Sequence, residues 1–154
     1  MSTLIDGTSV RQVALGIRVQ KATASLPQTT DGALFTISGG QVAVVSLIGE
    51  VTTVIQSQAN NTKLKFNPTA TGADQDLCAV LSITADAVGE LYTISGTVGD
   101  ALRSDLLIGN GILQDALVLS EGSIELDCAA SNTGSVKWDL IYIPLDDGAS
   151  VASA

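Results

Sequence analysis

The acidic side chains are the residues of this sequence that are best suited to catalysis or metal binding. The 154 residues contain no histidine, which excludes the usual general base and the serine–histidine–aspartate triad. The candidates are two carboxylate pairs, Asp74 with Asp76 and Asp146 with Asp147. Paired carboxylates do acid–base work when a cleft holds them at the right separation. Because both pairs lie in polar stretches, we expect solvated acids; a catalytic or metal-binding pair is the alternative.

Cys78 and Cys128 are the only cysteines, and neither belongs to a Cys-x-x-Cys motif. No structural zinc site is expected, because the chain offers too few nitrogen and sulfur ligands. Both cysteines lie in apolar, strand-like runs, which predicts buried free thiols; a disulfide is the alternative. The sequence also lacks a P-loop, a Gly-x-Gly-x-x-Gly loop and a Gly-x-Ser-x-Gly elbow. We therefore predict a protein that is not an enzyme and that binds no metal or cofactor.

Aromatic side chains could form a binding surface of another kind. Trp138 is the only tryptophan, and Tyr142 follows on the same face of a predicted strand. Aromatic residues on an exposed sheet face can bind a sugar or another protein, but in such strands they more often fill the core. We expect Trp138 to lie in the core. A shallow exposed groove containing Trp138 or Tyr92 would indicate a binding module instead.

Charge is distributed unevenly along the chain. The net charge of −9 argues against direct binding of nucleic acid. The first 24 residues carry Arg11, Arg18 and Lys21 beside Asp6, which gives +3 − 1 = +2, and the remainder carries +4 − 15 = −11. A basic segment on an acidic body could dock on an acidic partner. The alternative is three solvated side chains along a strand.

Composition predicts one folded domain. Charged residues make up 15% of the sequence and hydrophobic residues 45%, which is too apolar for a disordered chain. A chain of this length can bury a core. No run approaches the roughly 20 apolar residues of a membrane helix, so we expect no membrane partner. Residues 1–10 have neither a basic nor an apolar region of the kind found in secretory signals, so none is expected.

The stretch over residues 33–56 is the most regular part of the sequence. Two β-type runs, residues 33–38 and 41–48, are separated by Gly39-Gly40. A Gly-Gly pair between such runs predicts a tight hairpin turn. The second run continues past Gly49, where we expect a bend or bulge that lets the strand serve two sheets or turn the corner of a barrel.

About nine short strand-like runs, separated by glycine and asparagine turns, cover the chain. Apolar and polar residues alternate clearly in residues 62–66, 123–128 and 135–143. The pattern predicts an all-β fold, an antiparallel β-sandwich or barrel of jelly-roll type. We expect one β domain over residues 25–154. The first 24 residues are expected to form an extended N-terminal arm.

The two ends and one internal stretch are less regular. A strand over residues 10–24 of the arm could add to the sheet edge of a neighbouring chain. Residues 100–107 could form one or two helical turns or a loop with short strands. Residues 145–154 are expected to be a small, acidic tail.

The last strand carries a resemblance to a known class of proteins. The string GSVKWDLIYIPLDDGASV, residues 134–151, resembles the ending of small β-rich structural proteins of tailed bacteriophages. Residues 49–69 have a similar character. Within that class the chain is most similar to head decoration (cement) proteins. A phage tail or fibre component, with a receptor-binding role, is the alternative.

The resemblance implies a non-enzymatic virion protein. Such a protein would be assembled in the host cytoplasm, bind the major capsid protein on the outside of the capsid, and stabilise the shell. It would be a homo-oligomer, and we expect a trimer. The residues expected to contact the capsid are the basic residues of the N-terminal arm: Arg11, Arg18 and Lys21.

Overall fold

The structure is a computed structural model that describes residues 6–106 and 114–154. Within these residues one helix precedes twelve strands. The helix α1 spans Gly7–Leu15. The strands are β1 (Ile17–Ser25), β2 (Asp31–Ser38), β3 (Val42–Thr53), β4 (Asn61–Pro68), β5 (Gln75–Asp76), β6 (Leu81–Ser82), β7 (Glu90–Thr93), β8 (Arg103–Leu106), β9 (Leu117–Leu119), β10 (Gly122–Cys128), β11 (Ser135–Pro144) and β12 (Ser150–Ser153).

The strands form two antiparallel sheets that pack face to face. The first sheet has the order β1-β11-β3-β7-β8, with β9 paired to β3, and the second has the order β12-β2-β10-β4-β5, with β6 paired to β4. The chain crosses between the sheets at most connections, and the late strands β10 and β11 insert between early ones. This interleaving of two sheets is the jelly-roll arrangement. The predicted all-β, jelly-roll-like sandwich is confirmed.

The core lies between the two sheets and is built from alternate residues of the long strands. In β11 the inward side chains of Val136, Trp138, Leu140 and Tyr142 are all buried, as the alternation predicted. The inward side chains of β10, among them Ile124, meet them from the second sheet. Period-two burial of this kind follows from the alternating direction of side chains along a strand.

The predicted hairpin at Gly39-Gly40 is wrong. The strands that it joins, β2 and β3, belong to different sheets, so the turn carries the chain across the sandwich. Both glycines have positive φ (78° and 130°), and a Cβ on Gly39 would lie 2.5 Å from the carbonyl oxygen of Gly148. The need for glycine in the turn was therefore predicted correctly, but glycine content does not say which strands will pair.

The predicted strand over residues 10–24 is only half correct, because α1 occupies its first part. The side chain of Asp6 caps the helix and accepts a hydrogen bond from the Ser9 N–H at 2.8 Å. Gly16, with φ 93°, ends it. These are the usual signals of a helix start and stop, and the alternation of Val13, Leu15 and Ile17 concealed them. The remaining part, β1, is an edge strand that pairs with β11 of the same chain.

Two other stretches, residues 100–107 and 145–154, contain strands. Within residues 100–107, the structure has the strand β8, and Leu107 lies outside the described residues. The stretch that was expected to be a tail, residues 145–154, contains β12, which pairs with β2 from Ser150 to Ser153. The strand β12 was missed because its residues are small and only Val151 is buried, so the sequence shows no alternation of apolar and polar residues there.

Candidate interaction surface

Helix α1 lies on the surface and none of its residues is buried. Its aliphatic residues are exposed, and Val13 is the extreme case at 89%. A helix of nine residues is too short to be stable in water by its own hydrogen bonds, since about 12–15 residues are needed even for marginal stability. Helix α1 is thus a short helix beside the first sheet whose apolar side chains are exposed to water.

The helix approaches the outer face of the first sheet at its C-terminal end. A Cβ on Gly16 would lie 2.8 Å from the carbonyl oxygen of Tyr142, so glycine allows this close contact. Two grooves flank the helix, of about 440 Å³ and about 330 Å³. The first is bordered by Leu15 and Ile141, and the second by Val13 and Ile143. We call α1 together with Ile141 and Ile143 the α1 face.

The three basic residues predicted to contact a partner do not form one patch. Arg11, on α1, and Arg18, on β1, border the same groove, and Arg18 is paired with Asp139 at 2.5 Å. Lys21 lies outside that groove, and its Nζ donates a hydrogen bond to the carbonyl oxygen of Ala154 at 2.6 Å. The separation follows from the strand, because residues three apart point to opposite faces.

The predicted carboxylate pairs do not face each other across a cleft. Asp74 and Asp76 are exposed and bind different lysines: Lys65 Nζ lies 2.9 Å from Asp74, and Lys63 Nζ lies 2.8 Å from Asp76. Asp146 accepts a hydrogen bond from the Gln41 N–H at 2.7 Å and so supports the crossing turn. In the structure these carboxylates form ion pairs and stabilise a turn.

A lysine-centred cluster on the outer face of the second sheet was not predicted. Lys65 Nζ lies 2.9 Å from both Asp31 and Asp74, and oxygens of these two acids and of Glu125 lie within 4.8 Å of one another. The two carboxylates raise the pKa of Lys65 well above its usual value. The ammonium group already occupies the position between two of the three acids. No local pattern could reveal the cluster, because Asp31 and Glu125 come from β2 and β10, which are far apart in the sequence.

A second network surrounds Tyr92, which is fully buried against Trp138 with ring centroids 6.3 Å apart. The Tyr92 hydroxyl donates to Oδ2 of Asp86 at 2.6 Å. Burial raises the pKa of Asp86 and, together with the Asp86 carboxylate, raises that of Tyr92. Glu90 accepts hydrogen bonds from the Ser104 hydroxyl and from the Ala87 N–H. The prediction that Trp138 lies in the core is confirmed.

The raised pKa of Asp86 predicts a pH dependence of stability. At a pH between the usual value of 3.8 and the raised value, the folded state holds a proton that the unfolded state releases. Stability from this group therefore rises as the pH falls through the folded pKa, and levels off below 3.8. In Asp86→Asn, which keeps an acceptor for Tyr92, the stability gained on acidification from pH 7 to 4 should be smaller. Urea unfolding at both pH values measures this gain in unfolding free energy. An equal gain in the variant and in the unmodified protein would contradict the raised pKa of Asp86.

Both cysteines are buried and free, as predicted. The Cys78 Sγ accepts a hydrogen bond from the Leu64 N–H at 3.3 Å, and the Cys128 Sγ lies 3.8 Å from the Thr62 hydroxyl. Burial raises the pKa of both thiols. They are therefore poor nucleophiles and act as small core residues.

Within the described ranges, no helix has the length and apolar character needed to cross a membrane. No protein-family model matches the chain, and a search of curated proteins finds no match. The function of the protein must therefore be inferred from the surfaces described above.

Proposed function

We propose that this chain is a non-enzymatic virion structural protein of the head decoration (cement) type. It binds the major capsid protein on the outside of a tailed-phage capsid, as a homo-oligomer that we expect to be a trimer. A protein that binds only the assembled shell stabilises that shell by mass action, so no catalytic group is required.

The observation that carries the proposal is that the described residues leave the α1 face exposed. An exposed helix with an apolar side gains most by binding to another protein, which removes Val10 and Val13 from water. Recognition of a short amphipathic helix by an apolar groove is a recurring mode of protein association. Arg11 on the same helix adds a positive charge that suits an acidic partner surface.

The outer face of the first sheet supports the same interpretation. It carries two ion pairs, Arg18–Asp139 and Lys137–Glu50, as the outer face of the second sheet carries those of Lys63 and Lys65. On the first sheet, however, a row of aliphatic side chains lies beyond the ion pairs, and in it Ile143 and Val118 lie on either side of Ala43. Large exposed apolar surfaces are typical of protein interaction sites. The jelly roll itself occurs in viral capsid proteins and in lectins, and does not distinguish between these functions.

A tail or fibre module that recognises carbohydrate is less well supported. Such a site needs exposed aromatic rings on which a sugar can stack. The chain has five aromatic residues, and all of them are buried. They are Phe35, Phe66, Tyr92, Trp138 and Tyr142. A tail protein that binds another protein through the α1 face would remain compatible with the structure.

Co-sedimentation with capsids that lack their decoration protein tests the proposal. Removal of residues 1–16 should lower the affinity for capsids about tenfold or more, because the apolar face of α1 is lost. The deletion must stop before Ile17, since removal of the whole predicted arm, residues 1–24, would strip an edge strand from the first sheet. Trp138 fluorescence should show that the shortened protein is folded.

The control is Val54→Asp, which changes a residue of similar exposure (55%) away from the α1 face. This variant should sediment with capsids as the unmodified protein does. Wild-type affinity in the shortened protein would overturn the role of α1. Failure of the unmodified protein to bind capsids at any concentration would overturn the decoration function.

A further inference from the structure

The guanidinium group of Arg11 lies on the α1 face without an ionic partner. Its Nη2 donates a hydrogen bond to the Thr8 hydroxyl at 3.2 Å, one turn earlier in the helix. None of the ion pairs formed by the described side chains includes Arg11. Because a guanidinium group has five N–H donors, water must satisfy most of those of Arg11 in the free protein.

The other charged groups around α1 already have partners. Arg18, which borders the same groove as Arg11, lies 2.5 Å from Asp139. The Asp6 carboxylate accepts a hydrogen bond from the Ser9 N–H at the start of the helix. These two acids balance the two arginines, so α1 has no excess of charge that would attract a partner from a distance. Arg11 differs from its neighbours in that its charge is not in contact with an acid.

Arg11 lies beside apolar side chains that a partner of the α1 face would cover. Residues four apart share one side of a helix, and Arg11 and Leu15 both border the larger of the two grooves, of about 440 Å³, together with Ile141. The smaller groove has no charged residue among those that line it, and Val13 and Ile143 are among its apolar ones. The two grooves therefore differ in chemistry, because only the larger one combines aliphatic side chains with a cation that has no partner.

A partner that covers this groove must also deal with the charge of Arg11. Contact with Leu15 and Ile141 displaces water from the neighbouring guanidinium group. A charged group that is buried in an interface without an opposite charge is strongly unfavourable. A carboxylate solves the problem best, because its two oxygens can accept two parallel N–H bonds from the planar guanidinium group.

We infer that the larger groove receives a segment of the capsid protein in which a carboxylate lies beside an aliphatic or aromatic side chain. The carboxylate pairs with Arg11, and the apolar side chain contacts Leu15 and Ile141. The inference rests on the proposed function, and deepens it, by naming the chemistry of the partner at this site.

Capsid sedimentation of charge variants tests the inference. Arg11→Gln removes the charge but keeps a residue of similar helix propensity, and it should lower the affinity for capsids that lack their decoration protein about tenfold. Arg11→Lys keeps the charge and should bind more tightly than Arg11→Gln. The matched control is Arg103→Gln, which removes one positive charge from β8, at the edge of the first sheet opposite β1. Arg103 is half exposed, and its ion pair with Asp100 is long, at 3.8 Å.

The control should bind capsids as the unmodified protein does. An Arg11→Gln protein that binds as tightly as the control would overturn the inference and leave the decoration function in place. Failure of the unmodified protein to sediment with capsids would instead overturn the decoration function, and the inference with it.

Chemical cross-linking identifies the partner group directly. A carbodiimide joins an amine to a carboxylate when the two are in contact. In the complex of Arg11→Lys with capsids it should join the amine at position 11 to an aspartate or glutamate of the capsid protein, which mass spectrometry of the digested complex locates. Arg103→Lys is the control and should give no such product at position 103. A cross-link from position 11 to a second copy of this chain, or no cross-link at that position, would overturn the inference.

Discussion

Replacing Gly49 with valine should lower the free energy of unfolding by about 3 kcal/mol, because the new side chain would occupy the space of a tryptophan ring. Gly49 pairs with Trp138 of β11 on one side and with Tyr92 of β7 on the other. A Cβ at Gly49 would lie 2.8 Å from two carbon atoms of the Trp138 ring. The glycine therefore gives the indole its place in the core, and any larger residue must displace it.

Chemical denaturation followed by the fluorescence of Trp138, the only tryptophan, measures this effect. The matched control is Gly99→Val, since a Cβ at Gly99 would meet no atom within 4 Å. The control should change stability by less than about 1 kcal/mol. A Gly49→Val protein as stable as the control would show that the core can accommodate both side chains.

Replacing Asn60 with alanine should also cost about 3 kcal/mol. The Asn60 side chain is completely buried and makes two hydrogen bonds to the backbone of Ala130. Its Nδ2 donates to the Ala130 carbonyl oxygen at 3.1 Å, and its Oδ1 accepts from the Ala130 N–H at 3.0 Å. Alanine would leave both backbone groups without these partners, and each unmade bond costs about 1–3 kcal/mol.

The adjacent residue supplies the control for this prediction. Asn61 is exposed, and its backbone takes part in β4. Asn61→Ala should therefore change the unfolding free energy by no more than about 0.5 kcal/mol. Equal effects of the two substitutions, measured by the same denaturation experiment, would contradict the bridging role of Asn60.

The pattern of alternating residues was enough to predict the fold class and much of the core. In β4, β10 and β11 one face is buried and the other meets water, so the period of two is visible in the sequence. The same logic placed Trp138 and Tyr142 in the core correctly. Strand existence is a local property of the chain, which is why these predictions succeeded.

Strand partners could not be predicted in the same way. Gly39-Gly40 gave the position of a turn, but the direction in which the chain leaves it depends on contacts with Glu121 and Asp146, which are far away in the sequence. Gly49 was expected to bend β3, yet β3 runs through it, and the glycine makes room for a side chain of another strand. Both errors concern contacts that only the folded state creates.

Sequence reasoning gave charged residues that lie near the α1 face but not its apolar side chains. Charge counting singled out Arg11, Arg18 and Lys21, and the structure brings two of them to the same groove. The apolar side of α1 was missed, because Val13 and Leu15 fit the pattern of a strand as well as that of a helix. The capping residue Asp6 and the stop at Gly16 were the local signals that could have revealed it.

The interleaved strand order has a consequence for how the chain reaches its folded state. In the first sheet β1 is joined to β11, and Arg18 lies 121 positions before its partner Asp139 in the sequence. The central strand of the second sheet, β10, also comes late in the chain. Neither sheet can close until β10 and β11 have been synthesised, so the early strands must wait for their central partners. Pairings of such long range also fold slowly, on the scale of milliseconds to seconds, during which β3 and β4 expose edges that can aggregate.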